Sequence, residues 1–261
     1  MRLEGGVGAV SLRCGRFSAQ EGTGLHLSRD EALGYLGYAG QQVDESLLAR
    51  FHTLADSCED VTTARYAWDL FDVDAVRSVS VEEAAADGSL PCVALHGCDM
   101  VLPGGDIARH LEGACKVALM ACTLGLENER ELRKYAAVGA ADGVMFGACA
   151  SALVEAAGNA VEAQIVAEAA SFGLRTNWRY SPGYGDLPLS VQPAFLAALD
   201  ATRRIGLSAT DTCMLVPQKS ITAIVGLFEP GKGMSGVRDA CSVCQLRACC
   251  ALRGRGVTCH G

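Results

Sequence analysis

The chain has no excess of positive charge: 22 Lys and Arg stand against 30 Asp and Glu, leaving a net charge of −8 over 261 residues. Neutralising phosphates needs a basic face, so no nucleic-acid partner is expected, and an anionic membrane surface is disfavoured on the same ground. A long uncharged apolar run is missing too. The most apolar stretch, Val144 to Ala170, is interrupted by Glu155, Asn159, Glu162, Gln164 and Glu168, whereas a membrane span needs about 20 nearly uncharged residues. The first residues, "MRLEGGVGAV", lack the apolar centre of a signal peptide. A cytoplasmic chain with no membrane partner is therefore expected. Aromatics are only 6% of the residues, while alanine and glycine are plentiful, so the helices are expected to pack closely through small side chains.

Several catalytic signatures are absent. There is no GxSxG elbow, no HExxH pair among the five dispersed histidines, and no glycine fingerprint between a strand and a helix, which removes the usual sequence support for a serine hydrolase, a zinc protease or a dinucleotide fold. "GLFEPGKG" has the glycine spacing and lysine of a phosphate loop, but Gly233 stands where a magnesium-binding hydroxyl belongs and no apolar helix follows; it reads as a turn.

Half of the residues are hydrophobic and a fifth are charged, an ordinary globular balance. Hydrophobic periodicity predicts helices from about Arg29 to Tyr38 behind a Ser28 cap, and across "VDESLLARFHTLADSCEDV" with Asp44 as its cap. Strands are predicted at "ARYAWDLFDV", "PCVALHG" and "KVALMACTLG", with a short helix near Gly105 between the last two. Helix follows through "ENERELRKYAAVGAADG" and from Ala140 to Phe172, stopped by Gly173. "VQPAFLAALDATRRIGL" is an amphipathic helix with Phe195, Leu196, Leu199 and Ile205 on one side, and "TCMLVPQKSITAIVGLF" is two strands, or one strand bent at Pro217. Strands and helices do not alternate regularly, so a helix-rich α+β fold is expected rather than a doubly wound parallel sheet.

"RYSPGYGDLP", Arg179 to Pro188, cannot be regular helix, because proline removes a donor and glycine frees the backbone. Arg179 offers a planar fork for a carboxylate. Tyr184 offers a ring and a hydroxyl. Pro182 and Gly183 fix the path and let backbone amides approach a ligand. The set suits a zwitterionic small molecule with a flat base; a structural turn carrying a surface arginine fits the spacing as well.

This loop resembles the "RPAPGY" motif of the S-adenosylmethionine-binding activation domain of cobalamin-dependent methionine synthase. "TDTCMLVPQKSIT", Thr210 to Thr222, is similar to that domain's "TESxxMxPxxSVS": Thr210, Pro217 and Ser220 keep the spacing and Met214 sits one position early. The resemblance runs from about Ala94 to Phe228, more weakly from Ser28, and implies that domain's fold, with a largely antiparallel sheet, over residues 1–235 (its N-terminal helical part about 28–61). It implies that Arg179 binds the methionine carboxylate of S-adenosylmethionine, that Tyr184 lies by the ligand and that Ser181 gives backbone contacts. Glu162 is the candidate acidic partner of the ligand's amino group, although a solvated helix face shared with Glu155 is slightly the better reading; Asp44 is a weaker candidate. No cobalamin motif or substrate barrel is present, so the resemblance implies action in trans. The partner would be a cobalamin-binding methionine synthase or another corrinoid protein, reduced by a flavodoxin- or ferredoxin-type electron donor and remethylated from S-adenosylmethionine.

Thirteen cysteines without a secretion signal argue against a disulfide framework. Cys14, Cys58, Cys92, Cys98, Cys115, Cys122, Cys149 and Cys213 are scattered and read as small buried hydrophobes. The other five lie in "CSVCQLRACCALRGRGVTCHG", a tail over residues 236–261. There Cys241 and Cys244 have metal-binding CxxC spacing, with Cys249 or Cys250 the candidate third ligand and Cys259 or His260 the candidate fourth, for zinc or an iron–sulfur cluster; a tail of reduced thiols is the alternative. Two rival readings follow: a docking module with a zinc-held tail, and an iron–sulfur reductive activator of a corrinoid protein.

Overall fold

The computed structural model describes residues 12–19, 24–38 and 40–232. The chain runs through β1 (Arg13–Phe17), α1 (Arg29–Tyr35), α2 (Glu45–Asp60), β2 (Ala64–Val73), α3 (Val81–Asp87), β3 (Cys92–His96), β4 (Val101–Pro103), α4 (Gly105–His110), β5 (Lys116–Thr123), α5 (Gly125–Val138) and α6 (Ala140–Ser171). It continues through β6 (Arg175–Thr176), a 3-10 turn at Leu189–Val191, α7 (Gln192–Ala198), α8 (Ala201–Ile205), β7 (Ser208–Ala209), β8 (Leu215–Val216) and β9 (Ser220–Phe228). Seven strands form one sheet in the order β4-β3-β2-β5-β9-β6, with β1 added to the first half of β2. Every pairing in it is antiparallel. The fold is the expected helix-rich α+β arrangement.

Both sheet faces are covered, which explains why β5 reads as a continuous apolar run. Its Ala118, Met120 and Cys122 enter a core with Phe51, Leu54, Phe146 and Leu153 of α2 and α6. The alternate residues Val117, Leu119 and Ala121 enter a second core with Ile107, Phe195 and Leu196 of α4 and α7. This is the period-two alternation of a strand buried on both sides. Full burial of each large side chain is worth about 1.5–3 kcal/mol.

By length and composition α6 could cross a membrane, yet 61% of its most apolar window is buried inside the fold, where it packs on the sheet and on α1, α2 and α5. Small residues permit this: a Cβ on Gly143 would sit 2.7 Å from the Ala136 Cα of α5.

The cap predictions hold with refinements. Ser28 accepts from the Glu31 amide, but the Glu31 carboxylate accepts from the Tyr35 hydroxyl instead of closing a capping box. Asp44 caps α2 by accepting from Ser46 and Leu47. α1 ends at Tyr35, short of Tyr38, because Gly37 turns left-handed at φ 89°. The predicted helix at 191–207 is broken by Asp200, at φ 48°, into α7 and α8, while Phe195, Leu196, Leu199 and Ile205 share the second core as expected. Pro217 ends β8 in a cis peptide, leaving two strands. Of the scattered cysteines, Cys58, Cys122 and Cys149 are buried; Cys14 is exposed and the other four are half-buried, so the buried reading holds for three. Cys14 sits on β1, which pairs only with β2 among the described strands.

Candidate site on helix α6

The circuit from Asn177 to Leu187 is fastened on three sides. Asn177 bonds the Gly226 amide of β9 and the His110 carbonyl of α4. Tyr180 exchanges two backbone hydrogen bonds of 2.8 Å with Ile224 of β9. Asp186 accepts from the amides of Gly105 and Asp106, satisfying the first turn of α4. The loop therefore lies along β9, whose first residues, Ser220–Thr222, end the second segment that carries the resemblance.

This anchoring lays Arg179 along α6. Its Nε is 2.9 Å from Glu162 Oε2, and one terminal nitrogen is 2.7 Å from Asn159 Oδ1 and 3.3 Å from Glu155 Oε2. The other terminal nitrogen rests on Gly158, in the space a Cβ would take. Residues 155, 158, 159 and 162 are one helical face, at spacings of three, four and seven. The Arg179 side chain is only 12% exposed.

Two carboxylates share one guanidinium. Burial pushes the Glu155 carboxyl up from its ordinary value, with Arg179 opposing and Glu31 of α1 adding to the rise. Glu162 is likewise pushed up by burial, with Arg179 opposing and Glu155 adding to it. Arg179 therefore does not fully offset the desolvation of the pair.

The rim is aromatic. Tyr184, 47% exposed, meets the Tyr180 ring edge-on at 6.0 Å. Tyr35 of α1 is exposed as well, and its hydroxyl, which donates to Glu31, is driven upward by burial and then by that contact. Ser181 accepts from the Tyr184 amide, Pro182 is buried, and Gly183, at φ 94°, donates to the Leu187 carbonyl.

The structure brings Arg179 and Glu162 together, and the loop residues Ser181, Pro182, Gly183 and Tyr184 form the turn beside them. The fork of Arg179 lies against α6, where it pairs with both Glu155 and Glu162. Asp44 acts as the α2 cap. Glu31, Tyr35, Gly158 and Asn159 were not expected; the i, i+3, i+4, i+7 pattern of Glu155, Gly158, Asn159 and Glu162 was the signal available in sequence. Lys219, also unforeseen, donates to Ser151 one turn before Glu155, and burial pulls its amine downward.

Cys241, Cys244, Cys249 and Cys250 lie outside the described residues. Among the described residues no group of three or more metal-ligating side chains is found.

The crystal structure of the MetH reactivation domain bound to AdoHcy has the same fold: the TM-score is 0.55 at 14% sequence identity, over 87% of this chain and 81% of that one. No family model and no curated protein matches the chain.

Proposed function

We propose that this chain binds S-adenosylmethionine between the Arg179–Tyr184 turn and α6, and that it serves as a free-standing reactivation subunit for a cobalamin-dependent methionine synthase or a related corrinoid methyltransferase. The observation that carries the reading is Arg179 lying across Glu155, Asn159 and Glu162. Two carboxylates and one guanidinium complement a ligand with one carboxylate, one ammonium and one sulfonium. On binding, the ligand carboxylate takes part of the Arg179 fork and the ammonium takes a released glutamate, so no charge is left unpaired. Gly158 supplies the close approach and Tyr184 a ring face for the base. The likeness in fold to a domain solved with AdoHcy supports the same ligand class.

The reaction needs no general base here. The partner's cob(II)alamin takes one electron from a flavodoxin- or ferredoxin-type donor; the resulting cob(I)alamin attacks the methyl group, and S-adenosylhomocysteine leaves. This chain positions the sulfonium and supplies charge complementarity. On this reading residues 1–235 carry the site, and residues 236–261 are an appended element that holds zinc or an iron–sulfur cluster in a cytoplasmic protein. The reading is tested by mixing the chain with an inactive cob(II)alamin-loaded corrinoid protein, a reductant and S-adenosylmethionine. Methylcobalamin formed only when all are present is expected; none formed with every corrinoid partner of the host would leave a docking module.

A further inference from the structure

On the sheet face opposite α6, the register aligns four polar side chains in one row. Arg16 of β1 stands opposite Arg65 of β2, Arg65 opposite Thr123 of β5, and Thr123 opposite Ser220 of β9. Cross-strand partners share a face. That face is set by Ala67 and Ala121, each two residues from a member of the row and both in the second core. The row therefore closes the open end of that core, beside the end of α8.

Two arginines directly opposite each other are mutually repulsive. In a chain of net charge −8 a carboxylate between them is the ordinary remedy, and none is found among the described residues. The neighbouring acids are engaged elsewhere: Asp200 by Arg203 and Arg204, Asp69 by Arg13, and Glu129 by Arg133 and the Gln218 amide. Arg65 is half-buried, and its Nε is buried with no hydrogen-bond partner. A buried unmet donor is destabilising, more so when charged. The guanidinium then runs outward, one terminal nitrogen passing 3.9 Å from the place a Cβ would take on the exposed Gly206. Deeper in the row Ser220 donates to Thr123 at 2.8 Å.

We infer that this row is an oxyanion site. The two guanidiniums bind a phosphate group at the mouth: Arg65 through its outward terminal nitrogens and Arg16 from the exposed edge, with the hydroxyl pair deeper in the row. A phosphate supplies both the missing counter-charge and several acceptor oxygens in the geometry guanidinium forks favour. The ligand is free phosphate or the phosphate of a small monoester. The site is separate from the Arg179 turn and does not depend on its ligand.

The test is titration of the full chain with inorganic phosphate and, in parallel, with glycerol 3-phosphate, at constant ionic strength with chloride as control. Saturable binding is expected, weakened about tenfold or more in both Arg16→Met and Arg65→Met, as befits loss of a charge-assisted pair, and unchanged in Arg179→Ala. Tighter binding of the ester assigns the site to a phosphorylated metabolite; equal or weaker binding assigns it to free phosphate. Arg16 is exposed, so its replacement leaves the fold intact even where Arg65→Met does not. No saturable binding of either anion, or binding undisturbed in Arg16→Met, overturns the inference.

Discussion

Arg179 Nε stands 2.9 Å from Glu162 Oε2, and the same guanidinium reaches Glu155 seven residues earlier on the helix. The loop is thus tied to α6 by a charge cluster with one acid more than base. A ligand that brings net positive charge completes it.

A pH dependence with opposite signs for stability and binding follows. Glu155 and Glu162 have carboxyls raised above the ordinary 4.5, so the native state holds protons that the unfolded chain has released. Their contribution to the ligand-free protein is complete below about 4.5 and is lost as pH rises through the raised values. Binding of a cationic ligand needs the ionised forms and strengthens over that window. Thermal unfolding and calorimetry between pH 4.5 and 7, compared with Glu155→Gln/Glu162→Gln, check both signs. The double variant is expected to lose most of this dependence and to bind the ligand about tenfold or more weakly.

Gly158→Ala separates site from scaffold. Alanine is the better helix former by about 1 kcal/mol, but its Cβ would occupy the place of an Arg179 terminal nitrogen. The melting temperature is expected to hold to within a few degrees, about 1 kcal/mol or less, while S-adenosylmethionine affinity falls. Equal loss of both would mean that Gly158 serves the fold alone.

Much of this was legible in sequence, for identifiable reasons. β5 showed itself as an apolar run, Asp44 as a cap, and Gly173 as a helix stop, because each depends on local chemistry. The loop was legible because proline and glycine exclude regular structure there. The pairing of Arg179 with α6 was not, since it depends on the Tyr180–Ile224 backbone bridge and the Asp186 cap, contacts between segments 44 and about 80 residues apart. β1 was missed because "RCGRF" is short, polar and stabilised by β2; α3, despite a full Ser80–Glu83 capping box, was missed because only Ala84 of its seven residues is buried, so no apolar periodicity marks it.

The cysteine tail is tested by metal analysis and visible absorption of protein purified without oxygen. A bound metal is expected, brown if an iron–sulfur cluster and colourless if zinc, and lost in Cys241→Ser/Cys244→Ser. S-adenosylmethionine affinity is expected to be unchanged in that variant, because Arg179, Glu155 and Glu162 are positioned by residues before 232. Metal-free wild type would remove the tail from the proposal without touching the α6 site.

The most direct measurement is anaerobic titration calorimetry of S-adenosylmethionine into wild type and Arg179→Ala at neutral pH. Wild type is expected to bind at one site per chain, and the variant to lose about 2 kcal/mol or more of affinity, since the ligand carboxylate would be left unpaired. Wild-type binding that persists undiminished in Arg179→Ala, with both proteins folded, would contradict the assignment of the site to this loop.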